Sequence, residues 1–248
     1  MILYEFEGYI QSIYLVEYPH GLLLLDGGCR ADVPVICEFI QQQLRRPLSD
    51  LKLVVSTHMH PDHAGAATEL RKLTGCKIAA GTATKQWYSG IDGILMYLTD
   101  MVLAQWVAGK KGREKKQNLW YPRKLRADVY LQDGDLLPGF AEWQVMTTHG
   151  HTDRDISLYH KNTGKIYVAD LVVIVKGKYS PPFPVFHPNR YRSSLARVKS
   201  LNPAAVILAH GGEQQITPEQ WQDLIAIAPT KPMTHWRSVK EKLQKVLL

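Results

Sequence analysis

The sequence predicts an α/β protein. Short apolar, strand-like runs alternate with runs of helical period, the alternation recurs in both halves, and no Pro-, Gly- or Ser-rich linker divides them. With 248 residues, 45% hydrophobic and 21% charged, the chain can bury a sizeable core. A single domain over residues 1–248, with a helical and basic insertion at 91–126, is the simplest organisation.

The elements follow in order. The first 18 residues alternate like a strand, and "SIYLVEY" and "GLLLLDGG", divided by the turn-like "PHG", predict a hairpin. "DVPVICEFIQQQLRR" sets Val33, Ile36, Cys37, Ile40 and Leu44 at helical spacing. "LKLVVST" is a Val- and Leu-rich run that fits a buried strand. "PDHAGAATELRKLTG" predicts a helix opened by Pro61 and stopped by Gly75, and "CKIAAG" the next strand. Beyond residue 127 the runs "WQVMTTHGHT", "DISLYHK", "GKIYVADLV" and "AAVILAHGG" read as strands, with helices over 191–200, 218–228 and 236–247.

The segment between the halves is unusual. Ile94, Leu95, Leu98, Met101, Val102 and Trp106 recur at helical period, interrupted by Asp100, in a run that reads as too short and too polar to span a bilayer. From Lys110 to Arg126 there are eight basic residues against the single acid Glu114, a surplus equal to the net charge of +7 for the whole chain. Trp120 and Tyr121 sit inside that stretch. The expectation for 91–126 is a lid or a homodimer contact; a peripheral membrane contact is open but not favoured, and nucleic acid is disfavoured as a partner.

Three cysteines, Cys29, Cys37 and Cys76, form neither a disulfide framework nor a thiolate metal knuckle. The N-terminus has acids at Glu5 and Glu7 and lacks the basic start and cleavage site of a signal peptide. No run reaches the roughly 18 uninterrupted apolar residues of a membrane span. These features predict a soluble, cytoplasmic protein.

The chemistry concentrates in "STHMHPDHAG", where His58, His60, Asp62 and His63 fall within six residues at a strand-to-helix junction. Imidazoles and carboxylates are the usual ligands of zinc and similar divalent ions. Residues two apart on an extended stretch point to one side, so His58 and His60 can reach one ion while Asp62 and His63 face a second.

That stretch resembles the H-x-H-x-D-H signature of the metallo-β-lactamase-fold hydrolases, and further elements are similar in order. "LLLLDGG" resembles the strand ending in Asp-Gly, which places Asp26 in a supporting role behind the ligands. "TTHGHTDRDISLY" is similar to the family's T-P-G-H-T segment and makes His151 the matching ligand. "IYVADLV" resembles the strand that delivers a bridging aspartate, here Asp170, and "VILAHGG" the final histidine motif, giving His210. Three departures stand out: His149 where the family often has proline, Ala169 where it often has glycine before the bridging aspartate, and no Pro-Gly before His210. His149 is expected at the surface or behind the ligands, and His187 in "YSPPFPVFHPNRY", a second pocket-wall candidate, as structural.

The resemblance implies an αββα four-layer sandwich of two mixed β-sheets flanked by helices. It implies two divalent ions, most readily zinc with iron or manganese as alternatives. His58, His60 and His151 would hold one ion, Asp62, His63 and His210 the other, with Asp170 bridging. A metal-bridging hydroxide, with Asp62 as catalytic residue, would attack a small-molecule ester, thioester or lactone. The aspartate at 170 fits the glyoxalase II-like and lactonase-like branches better than the true β-lactamases, whose best-known group has cysteine there. A phosphodiesterase or nuclease, and a mononuclear iron oxidoreductase of the persulfide dioxygenase kind, are the alternatives. Substrate-binding residues are unknown.

Overall fold

The structure, a computed structural model, describes residues 1–113 and 116–234. The helix expected over 236–247, and Glu114 and Lys115 of the basic stretch, lie outside the described residues. Among the described residues the chain packs as two compact units, one within residues 1–132 with 138–140, the other within residues 133–137 with 141–234.

The first unit holds a six-stranded sheet in the order β1 (Ile2–Glu7), β2 (Ser12–Tyr18), β3 (Gly21–Leu24), β4 (Leu51–Ser56), β5 (Lys77–Gly81), β6 (Val129–Leu131). The alternating N-terminus is two strands, not one. Gly8 N–H donates to the Gln11 carbonyl at 3.0 Å, and the chain returns with Ile2 opposite Glu17. The expected hairpin is β2 with β3, Tyr18 opposite Gly21. From β3 to β6 the pairing is parallel. A strand with parallel neighbours on both sides is covered on both faces, which is why β4 reads as a continuous apolar run.

The helix expected at 33–44 forms as α1 (Val33–Glu38), continued by a π turn to Gln43. The helix expected from Pro61 divides at Gly65 and Ala66 into α2 (Pro61–Ala64) and α3 (Ala67–Thr74), and Gly75 ends it with φ of 76°.

The helix of the central segment is α4 (Gly90–Lys110), and here one expectation fails. At 21 residues it is long and apolar enough, by length and composition alone, to cross a membrane. The face packed on the core is not the apolar stripe. Gly93, Tyr97, Asp100, Met101, Ala104 and Ala108 are buried, whereas Ile94, Leu95, Leu98, Val102 and Trp106 are exposed. Close approach decides the face: a side chain at Gly93 would run into the Tyr88 backbone, and the two alanines continue that narrow contact.

The second unit holds a six-stranded sheet in the order β14-β13-β10-β9-β8-β7. Its strands are β7 (Leu136–Leu137), β8 (Phe140–Thr147), β9 (Ile156–His160), β10 (Lys165–Tyr167), β13 (Ala205–Leu208) and β14 (Gly212–Gln214). A separate hairpin joins β11 (Val173–Val175) to β12 (Lys178–Ser180). Pairing is antiparallel from β8 to β9 to β10 and parallel from β10 to β13. Strands β8, β10 and β13 therefore run the same way and end at one edge. Helices α5 (Pro188–Leu201) and α6 (Pro218–Ile227) complete the unit, and the apolar core there includes Ile166, Val206, Leu208, Leu195 and Trp221.

Candidate metal-ligand clusters

In the first unit, β3 and β4 are parallel neighbours, so the residues after each lie at the same edge. After β3 comes Asp26, and after β4 the stretch from Thr57 to His63. Asp26 is buried and organises the cluster. Its Oδ2 accepts from His63 Nδ1 at 2.6 Å and from the Thr57 hydroxyl at 2.7 Å, and its Oδ1 from Thr57 N–H at 3.1 Å. Because the Thr57 proton goes to Asp26, Thr57 Oγ1 is the acceptor for His58 Nδ1, 3.2 Å away. Both histidines thus carry their proton on Nδ1 and keep the Nε2 lone pair. His58 Nε2 lies 3.1 Å from His60 Nδ1, and His63 Nε2 lies 3.7 Å from Asp62 Oδ2. The two pairs expected from spacing alone are brought together, each with ligand atoms within 4.8 Å. The glycines of "LDGG" serve this edge: a side chain at Gly27 would collide with the His63 carbonyl, and Gly28 has φ of 67°.

The inner face of α4 reaches the same cluster. Asp100 Oδ2 lies 3.9 Å from His60 Nε2 and accepts from the Tyr88 hydroxyl at 2.8 Å. The Tyr121 hydroxyl donates to the carbonyl of Met59, between His58 and His60, and the Tyr88 oxygen lies 3.2 Å from the same carbonyl. Burial pushes Asp100 up to about 7, and the Asp62 charge adds to the rise while the Tyr88 bond opposes it. Asp100 was legible only as an acid interrupting an apolar helix. That interruption was the available signal, since a carboxylate facing the far nitrogen of a ligand histidine is a recurring feature of metal sites.

In the second unit the three expected residues follow β8, β10 and β13, at one edge. His151 donates from Nδ1 to the Pro184 carbonyl at 2.6 Å, which again leaves Nε2 as the lone-pair nitrogen. Asp170 divides its oxygens: Oδ2 is 3.6 Å from His151 Nε2, and Oδ1 is 3.4 Å from His210 Nε2. Asp170 sits in a one-turn 3-10 helix after β10. Ala169 before it has φ of 46°, the left-handed region that glycine occupies at least cost.

Sequence reading missed the residue that shapes the His151 loop. Asp155 is buried and accepts from Gly150 N–H at 3.0 Å, Thr152 N–H at 2.6 Å and the Thr152 hydroxyl at 2.6 Å. Burial raises its pKa. Gly150 is also required for space, because a side chain there would land on the Tyr191 backbone. The "PPFPVFHPNRY" segment braces the same loop: Phe186 and His187 N–H donate to the carbonyls of His151 and Gly150, at 3.3 and 2.9 Å. His187 is the residue before α5. His149 faces a surface groove with Thr147, Asn189, Arg190 and Arg197, and burial lowers its pKa.

The donors fit a borderline divalent cation. Lone-pair nitrogens fixed by outer hydrogen bonds, with carboxylates beside them, suit zinc, iron or manganese. The eight basic residues of the central segment are not all available to a partner. Arg113 donates to Glu7 Oε1 and to the Gly8 and Tyr9 carbonyls, and Arg123 to the Tyr88 carbonyl.

Comparison with known proteins places the chain in a family. Among curated proteins, "Probable metallo-hydrolase YflN" of Bacillus subtilis is 24% identical over 225 residues, 82% of this chain and 81% of that protein. "Probable metallo-hydrolase YqjP" of the same organism is 24% identical, covering 80% and 66%. Among solved structures, ST1585 of Sulfolobus tokodaii, a metallo-beta-lactamase superfamily protein, superposes with a TM-score of 0.63 at 20% identity, covering 89% of this chain and 83% of that one. TTHA1623, solved in a di-iron-bound form, superposes with a TM-score of 0.58 at 21% identity, covering 87% and 94%. At such identities the structures establish the fold, an α/β sandwich of mixed sheets flanked by helices. The family model for the metallo-beta-lactamase superfamily matches residues 7–210, most of the chain. The chain belongs to the metallo-beta-lactamase superfamily.

Proposed function

We propose that this metal-dependent hydrolase acts on a small-molecule ester, thioester or lactone with two divalent ions. His58, His60 and His151 would hold one ion and Asp62, His63 and His210 the other, with Asp170 offering an oxygen to each. The observation that carries the proposal is the division of Asp170: one carboxylate addresses the Nε2 atoms of two histidines, one through each oxygen. A pair of divalent ions so held lowers the pKa of a shared water towards neutrality and polarises the substrate carbonyl. The chain's own residues do the rest. Asp26 and the Pro184 carbonyl keep His63 and His151 in one tautomer and one orientation. Asp62, half-buried beside His63, orients the attacking water and accepts its proton. Zinc is the favoured metal; the di-iron form of one fold neighbour keeps iron in contention. The three cysteines are free, which suits a reducing cytoplasm.

The test is a panel of thioester, lactone, β-lactam and phosphodiester substrates, offered to metal-stripped protein reloaded with zinc, iron or manganese. Metal-restored turnover of a thioester or lactone is expected. Turnover of phosphodiesters alone would overturn the substrate class, and oxygen consumption with a single iron per chain would overturn hydrolysis itself.

A further inference from the structure

The outer face of α4 is at odds with a helix that only covers a core. Ile91, Ile94, Leu95, Leu98, Val102 and Trp106 are exposed, with Ile91 at 78%, Val102 at 70% and Trp106 at 59%. At 100° per residue they fall within roughly a third of the helix circumference, opposite the buried face. Monomeric soluble proteins seldom leave a contiguous apolar surface of this kind without a use for it. Trp120, 56% exposed, extends the stripe across a groove of about 890 Å³ that Leu98, Val102 and Trp106 line. Two cations stand at its rim: Lys116 lines the groove, and Lys110 Nζ lies 5.6 Å over the Trp106 ring. Lys111, Lys124 and Arg126 of the same segment are also exposed.

We propose that this face seats the protein on an anionic lipid surface, α4 lying flat with its stripe among the acyl-chain ends and the lysines at the headgroups. An apolar stripe about 24 Å long, ending in tryptophans and flanked by lysines, is the chemistry of an interfacial helix. Spanning is excluded by the other face, where Asp100 is buried against Tyr88 and Tyr97 packs in the core. A second copy is a poorer occupant, since a self-facing contact would crowd the lysines of both chains together. The contact explains why the chain's whole charge surplus lies beside its most exposed apolar helix. It does not depend on the proposed substrate.

The test is co-sedimentation of the full chain with phosphatidylcholine vesicles, with or without one-quarter phosphatidylglycerol, at low and high salt. Binding to the anionic vesicles, weakened by salt, is expected. Lys110→Gln and Lys116→Gln should each weaken it by roughly fivefold. Leu95→Glu with Val102→Glu should abolish it with an unchanged circular dichroism spectrum and melting temperature, because both positions are exposed. Equal binding to neutral vesicles, or no binding to either, would overturn the proposal. So would a dimer in light scattering that the same pair of substitutions dissolves, which would assign the face to a second copy.

Discussion

The two units deliver their ligand-type residues by different means. The first places four within six residues, after one strand, and ties two of them to a single buried carboxylate: Asp26 binds His63 directly and His58 through Thr57. The second draws three from the ends of three strands, spread over some sixty residues, and holds His151 through a backbone carbonyl and a loop that Asp155 shapes. The first arrangement concentrates risk in one residue. The second spreads it, and depends on backbone geometry at Gly150 and Ala169.

The sharpest contrast is chemical. Asp62→Asn should lower turnover by about 10²–10⁴-fold while the melting temperature of the metal-free protein holds, because it removes a proton acceptor and keeps the size of the side chain. Retained activity would show that Asp62 is not the base. Asp26→Ala strands the donors of Thr57 and His63, at about 1–3 kcal/mol each, so a loss on the order of 3 kcal/mol is expected together with lost metal affinity. Asp155→Ala should destabilise comparably yet weaken metal binding less, since it touches one ligand loop. Denaturant melts and chelator competition on both variants distinguish these outcomes; equal loss of metal would erase the comparison.

Gly150→Ala tests the backbone side. The added methyl meets the Tyr191 backbone, and a cost of about 3 kcal/mol is expected in denaturant unfolding.

A pH effect should come from the first unit. Burial pushes Asp32 up to about 6, against the pull of backbone bonds from Tyr9 and Cys29. The folded chain therefore holds this proton more tightly than the unfolded chain does. The contribution is full below about pH 4 and is lost as pH rises through about 6, on the order of 3 kcal/mol in all. Unfolding across that range should show the decline, and Asp32→Asn should flatten it. The smallest effect belongs to Ala169→Gly, which relieves the left-handed residue beside Asp170 and should stabilise by roughly 0.5–1 kcal/mol.

The same contrast explains what was legible. "STHMHPDHAG" announces its chemistry because its residues are adjacent and strand geometry fixes which side each faces. His151, Asp170 and His210 mean little singly, and only their order resembles a known pattern. Asp100 and Asp155 were overlooked because their significance lies in partners far along the chain or across a loop, His60 and Gly150. Which face of α4 meets the core was not legible for a related reason. Periodicity finds a stripe but not which side is narrow enough to approach the core, and Gly93 and the alanines settled that.

The central claim is that the two sets of ligands serve one pair of metal ions with Asp170 between them. Metal content at saturation, by mass spectrometry of the intact protein under native conditions and of its Asp170→Asn variant, tests it most directly. The account predicts about two ions per wild-type chain, with weaker retention in the variant, because an amide nitrogen would replace one of the two oxygens and the remaining oxygen could serve only one ion. One ion per chain at full activity, or a variant that keeps two as tightly as the wild type, would contradict it.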